Sequence, residues 1–210
     1  MAGQDGFDRQ AHWQRVFMTK EADALSWYQS FPEISLRLIA RAGAGPSSRL
    51  IDVGGGDSLL VDTLLSKGFA DVTVLDISPA ALERARQRLG EKGHKVRWIE
   101  ADITAWTPEE TWDVWHDRAV FHFLTAPEDR AAYRERLNAA LKPGGQAILA
   151  TFAADGPEKC SGLPVVRYEP LTLAAELGPG LKLAETQRQV HTTPSGKAQN
   201  FLYCRFERVA

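Results

Sequence analysis

Residues 50–57 read Leu-Ile-Asp-Val-Gly-Gly-Gly-Asp, and no other stretch limits the fold as much. A short apolar, β-branched run leads into three glycines, and behind them Leu59, Leu60, Leu64 and Leu65 recur at helical spacing until Gly68 offers a C-cap. This is a strand, a tight turn and a helix. Glycine lets the backbone bend sharply and lets a ligand approach the main chain, so a bound molecule is expected over residues 54–56.

The same alternation continues downstream, which is the mark of a parallel α/β sheet. Strands are expected over residues 72–76, 96–100, 112–116 and 146–152, with helices over 78–89 and 127–141 between them. Ser78-Pro79 supplies an N-cap with proline at the first helical position, and Gly90 closes that helix. Lys142-Pro143-Gly144-Gly145 is expected to turn into the fifth strand. After an irregular stretch from Ala153 to Tyr168 and a short helix over 171–177, two β-like runs, 181–190 and 201–208, look like an antiparallel hairpin. Ahead of the sheet, a helix over 8–20 places Trp13, Val16 and Phe17 on one face, and a second helix spans 32–41. The 210 residues suit one domain: an N-terminal helical cap (1–48), a ligand-binding core (49–152), and an acceptor-side loop with the hairpin (153–210).

Asp76 ends the second strand about twenty residues past the glycines, where a carboxylate accepts from both hydroxyls of a ribose. Glycines and acid together fit S-adenosylmethionine (AdoMet) as well as NAD. Three details favour AdoMet. A dinucleotide fingerprint beginning at Gly54 needs glycine where Leu59 stands. Asp52, two residues ahead of Gly54, repels a diphosphate but suits the ammonium end of a methionine. Asp102 closes the third strand where it can accept from an adenine amine.

Residues 50–57, Asp76, Ala101-Asp102 and 142–145 resemble, in order and spacing, the motifs of class I AdoMet-dependent methyltransferases. The resemblance covers residues 49–152 and reaches the terminal hairpin. It implies a seven-stranded Rossmann-like sheet of order 3-2-1-4-5-7-6, strand 7 antiparallel, flanked by helices. It implies AdoMet as methyl donor, with S-adenosylhomocysteine as product. AdoMet contacts are carried onto Asp52, Gly54, Gly56, Asp76 and Ile77, then onto Asp102, Ile103 and His116-Asp117. Ser58 departs from the pattern, where many members have a further glycine.

Transfer from a sulfonium is an in-line displacement that needs alignment and exclusion of water more than a strong base. Ligands of open α/β sheets lie beyond the strand C-termini, which directs attention to Trp115-His116-Asp117-Arg118-Ala119-Val120-Phe121-His122-Phe123. There His122 is the candidate base, Arg118 the candidate carboxylate clamp, and Asp117 their neighbour; a structural Asp117-Arg118 ion pair with His122 as a satisfied core histidine is the competing reading. Cys160, Arg167 and Tyr168, on the loop after the fifth strand, and His191, at the hairpin end, are candidates for the acceptor side. Lys159 stands beside Cys160, where it would lower the thiol pKa, although direct transfer needs no cysteine nucleophile. Trp27, with Trp13, Phe17 and Tyr28, offers an aromatic cover for a sulfonium, and for Trp13 and Phe17 core packing is the favoured role.

The short chain and aromatic cap resemble small-molecule methyltransferases of the thiol, halide or metalloid kind. Asp117-Arg118-Ala119-Val120 departs from the Asp-Lys-Gly-Thr segment of protein-lysine methyltransferases, which makes a lysine acceptor the second reading. A regulatory module that binds AdoMet without transfer is the non-enzyme reading. Charge is nearly balanced, 25 Lys and Arg against 27 Asp and Glu, so nucleic acid and anionic membranes are not expected partners. Two distant cysteines, no metal-ligand spacing, no apolar signal core and no long apolar run lead to the expectation of a metal-free cytoplasmic protein. Oligomeric state is not readable.

Overall fold

The computed structural model describes residues 7–209, so residues 1–6 of the expected cap lie outside the described residues. Helix α1 (Arg9–Thr19) starts at Asp8, whose side chain accepts from the Ala11 amide, and a 3-10 turn at Ala22–Ala24 leads to α2 (Glu33–Arg41). The sheet then alternates with helices: β1 (Arg49–Val53), α3 (Leu60–Ser66), β2 (Asp71–Asp76), α4 (Pro79–Leu89), β3 (Val96–Glu100), β4 (Trp112–Arg118), α5 (Pro127–Ala140) and β5 (Leu141–Phe152). A two-stranded ribbon of β6 (Lys159–Cys160) and β7 (Leu163–Pro164), helix α6 (Pro170–Leu177) and the hairpin β8 (Leu181–Thr192) and β9 (Ala198–Arg208) complete it.

The main sheet runs β3-β2-β1-β4-β5-β9-β8, with β1 to β5 parallel and β9 antiparallel to both neighbours. With the separate ribbon left uncounted, this is the expected 3-2-1-4-5-7-6 order. Alternation of side chains along the strands builds a core on each face. Ile51 and Val53 pack with Leu137 of α5 and Leu173 of α6, while Leu50 packs on the other face with Ile39, Leu64 and Leu82 of α2, α3 and α4. Both faces are covered, so β1 is buried along almost its whole length. A third cluster ties Phe17 of α1 to Leu25 and Ala81, which draws the N-terminal segment over the start of α4.

Three expectations need correction. Strand β4 runs on to Arg118 and breaks only at Ala119, which takes φ +72° while its amide donates to the Ala150 carbonyl at 2.8 Å. Residues 142–145 form an excursion within β5 instead of a turn ahead of it: Leu141 pairs with Trp112 and Gln146 with Val114, and Gly144 supplies φ +73°. The stretch after β5 is not wholly irregular, because Ser161 and Gly162, both with positive φ, close the β6–β7 ribbon. Among the described residues no helix is long and apolar enough to cross a membrane.

Candidate active site

The glycine turn is as crowded as the sequence implies. Gly54 (φ +65°) and Gly56 (φ +49°) adopt conformations that favour glycine, and the Gly54 amide donates to the Leu75 carbonyl at 2.7 Å. A Cβ on Gly54 would lie 1.9 Å from Cγ2 of Val120, and one on Gly55 would lie 2.7 Å from Oδ2 of Asp52. Only bare backbone fits between β1, β2 and the β4 turn.

Two cavities open over this turn at the C-terminal ends of the strands. The larger, about 920 Å³ including its open mouth, is bordered by Asp76, Ile77, Asp102 and Ile103 on one side and by Ala119, Phe123, Cys160 and Leu163 on the other. The smaller, about 590 Å³, reaches past Gly54–Gly56 to Ser35, Asp52, Asp57 and His116. Phe17, Trp27, Gly54 and Arg118 border both, so they form the neck of one divided cleft. Aromatic edges roof it: Trp13 meets Trp27 at 5.8 Å and Phe123 at 4.8 Å between ring centroids, and Phe17 meets Trp27 at 6.0 Å. Trp13 and Phe17 therefore face the cleft as well as packing the cap.

The floor is acidic. Asp76 is buried, its Oδ1 accepts from the Ser78 amide at 2.8 Å, and burial together with the nearby Asp57 and Asp52 carboxylates pushes its pKa up to about 7. Burial also raises Asp57, against the pull of Arg84. Asp52 is fixed by the buried His116, whose Nδ1 lies 2.6 Å from Asp52 Oδ1 and whose Nε2 lies 2.9 Å from Ser35 Oγ. Asp102 accepts from the Thr104 amide and hydroxyl and faces Arg9 at 3.5 Å; Arg9 also reaches Asp129, which latches α1 across the larger cavity. Gln14 adds a second latch, its Oε1 accepting from Ser78 Oγ at 2.8 Å and the Ala80 amide at 3.0 Å. A floor with several carboxylates favours a cationic ligand and opposes a diphosphate.

The family model of a methyltransferase domain matches residues 50–145, the stretch that holds the glycine turn, Asp76 and Asp102. Over that stretch the chain is similar to methyltransferase domains. An eEF1A lysine and N-terminal methyltransferase homolog of Drosophila melanogaster is 26% identical over 149 residues, 68% of this chain and 22% of that protein. A probable thiol methyltransferase of Arabidopsis thaliana is 28% identical over 154 residues, 72% of this chain and 65% of its own. The chain thus spans only part of these relatives. In fold it is similar to a 1,6-didemethyltoxoflavin-N1-methyltransferase from Burkholderia thailandensis, solved with 1,6-didemethyltoxoflavin and S-adenosylhomocysteine bound: TM-score 0.69, 22% identity, 95% of this chain and 84% of that one.

Several of the expected site residues stand elsewhere than the sequence places them. Because side chains alternate along β4, His116 and Arg118 face the cleft and Asp117 faces the opposite core. There its carboxylate accepts from the Val120 and Phe121 amides (2.9 and 3.1 Å) and from Tyr133 Oη (2.6 Å); burial lifts its pKa to about 6, against those donors. It is a turn cap, and it forms no ion pair with Arg118. His122 borders neither cavity: it is fully buried, Nδ1 accepts from the Phe152 amide at 3.2 Å, and burial pulls its pKa down to about 3. A neutral imidazole packed between Phe123 and Phe152 has no path to an acceptor, which corrects the expectation of a base.

Of the acceptor-side candidates, only Cys160 borders the cleft, and burial raises its thiol pKa in place of the lowering expected from Lys159. Arg167 pairs with Glu158, Tyr168 is buried against Phe121, and His191 donates from Nε2 to the Ser26 carbonyl at 2.8 Å, which steadies the strip carrying Trp27. Phe123, which ends the run singled out after the fourth strand, borders the cleft, whereas Ser35, Arg9 and Gln14 join the site unannounced. Their only signal is spacing on short helices and turns, where polar residues read as solvent-facing.

Proposed function

We propose that the chain binds AdoMet across the divided cleft and transfers its methyl group by in-line displacement to a small-molecule acceptor. The observation that carries this reading is the acidic floor under a glycine turn, with Asp76 raised to about 7 by burial and its carboxylate neighbours. A ligand bearing an ammonium and a sulfonium relieves that repulsion, while ribose hydroxyls donate to Asp76. In this reading Asp76, Ile77, Asp102 and Ile103 hold the adenosyl group, Asp52, positioned by His116, faces the methionine ammonium, and Gly54 and Gly56 give the backbone close approach. Trp27 at the neck lies where the sulfonium is expected and favours it over the neutral product by cation–π attraction.

The acceptor then sits on the side bordered by Phe123, Cys160 and Leu163, beneath the aromatic roof. Room between Trp13, Trp27 and the β6–β7 ribbon suits a compact molecule, and the plant thiol methyltransferase and the bacterial toxoflavin-precursor enzyme, both named for small acceptors, support that choice. The lysine reading draws on the fly relative, but a lysine ammonium would meet Arg118 at the neck. Catalysis in this account is alignment and exclusion of water, with the acceptor entering already ionised or losing its proton to solvent.

The test is a screen of thiols, metalloid oxyanions, amines and phenols with methyl-labelled AdoMet, reading label transfer and S-adenosylhomocysteine release. Turnover with a small acceptor supports the reading. Transfer to a lysine peptide alone overturns it in favour of the second reading, and AdoMet binding without turnover on any acceptor favours the regulatory one.

A further inference from the structure

Arg118 is the charged group at the neck of the cleft, and it is held without a counter-ion. Its Nε donates to Tyr203 Oη at 2.9 Å and its Nη1 to the Trp27 carbonyl at 2.8 Å, while Cζ stands 4.6 Å from the ring centroid of Phe201. Nη2 is buried and has no hydrogen-bond partner among the described residues. None of the described carboxylates comes within ion-pair distance of this guanidinium, whereas Arg9, Arg49, Arg88 and Arg130 each find one. Asp117, the neighbour in sequence, points into the other core, and Asp52 is engaged by His116.

A guanidinium keeps its charge at any ordinary pH, so it cannot escape burial by losing a proton. Arg118 as a whole is half-buried, but a buried N–H without a partner is costly unless a ligand completes it. Two of the three nitrogens are fixed by backbone and phenol, which leaves the third oriented in advance and spare. That is the design of an anion clamp, not of a structural ion pair.

Its place in the sheet says which anion. The carboxylates expected at the donor stand on β1 and β2 and just past β3, whereas Arg118 ends β4 on the other side of β1 and is anchored to β9 through Tyr203. On that side the cleft wall is Phe123, Leu163 and Cys160, apolar and without a carboxylate of its own. We propose that Arg118 selects the methyl acceptor: Nη2 takes one oxygen of a carboxylate-type anion carried by a small apolar or aromatic acid. This rests on the methyltransferase reading and adds the charge class of the substrate.

Calorimetry on the chain saturated with S-adenosylhomocysteine tests it with four matched pairs, benzoate against benzyl alcohol, phenylacetate against phenylacetamide, salicylate against salicylamide, and 4-hydroxybenzoate against 4-hydroxybenzamide. At least one acid is expected to bind tenfold or more tightly than its neutral partner. Arg118→Met should erase that preference and Arg118→Lys should retain part of it. If none of the acids is preferred by the unsubstituted chain, the proposal is overturned without recourse to any variant. A tenfold or greater loss of S-adenosylhomocysteine binding in Arg118→Lys would also overturn it, since the guanidinium would then hold the donor's own carboxylate. If the unsubstituted chain does not bind S-adenosylhomocysteine at all, the methyltransferase reading itself has failed, which is a separate result.

Discussion

Replacing Gly54 with alanine should damage the turn through two separable costs. The first is conformational: at φ +65° an L-residue other than glycine loses roughly 1–2 kcal/mol. The second is steric, because the new Cβ would fall 1.9 Å from Cγ2 of Val120, and overpacking of this kind typically costs about 1–3 kcal/mol. Gly54→Ala is therefore expected to lose about 2–5 kcal/mol in urea unfolding and to weaken AdoMet binding at least tenfold in calorimetry. The two costs separate in a double-mutant cycle with Val120→Ala, which removes Cγ2 and leaves φ unchanged. The double variant should recover about 1 kcal/mol or more relative to additivity while keeping the conformational loss. Stability of Gly54→Ala within about 0.5 kcal/mol of the parent, or an additive cycle, would refute the close approach of the β4 turn to the glycines.

Other consequences follow from the same geometry. Asp76 has a folded pKa near 7, above the unfolded value of about 3.9, so the free chain holds its extra proton at low pH and loses the associated stability as pH rises through about 7; Asp76→Asn in the ligand-free chain should gain stability relative to the parent at pH 8 more than at pH 5. AdoMet needs the ionised carboxylate, so its affinity should fall about fivefold from pH 7 to pH 6 in the parent, and much less in Asp76→Asn. His122→Gln should leave kcat within about twofold of the parent while lowering stability by about 1–3 kcal/mol through lost packing and a disturbed Phe152 amide contact; a hundredfold loss of kcat in a folded variant would restore it to the mechanism. Trp27→Leu should narrow the preference for AdoMet over S-adenosylhomocysteine by about 0.5–2 kcal/mol, checked by paired titrations.

The parallel half of the sheet was legible because each strand is an apolar run bounded by glycine, proline or a capping residue, as at Gly54–Gly56 and Ser78-Pro79. The end of β4 was not. Past His116, where the sequence ends the strand, Asp117 and Arg118 look like a polar loop, and Arg118 is held in the strand by a partner remote in sequence, Tyr203, 85 positions away. Reading that run as a loop hid its alternation, which is what sends Arg118 to the cleft and Asp117 to the core. His122 was misread for a related reason: a histidine amid aromatics has the same local sequence whether it faces a substrate or fills a core. The β6–β7 ribbon is too short for periodicity, and Ser161-Gly162 was its only trace.

The most direct measurement is a calorimetric titration of the chain with AdoMet, followed by NAD on a fresh sample under the same conditions. The account predicts saturable one-to-one binding of AdoMet, lost in Gly54→Ala, and no resolvable heat from NAD. Saturable binding of NAD with none of AdoMet would contradict the assignment of the acidic glycine turn to a cationic donor.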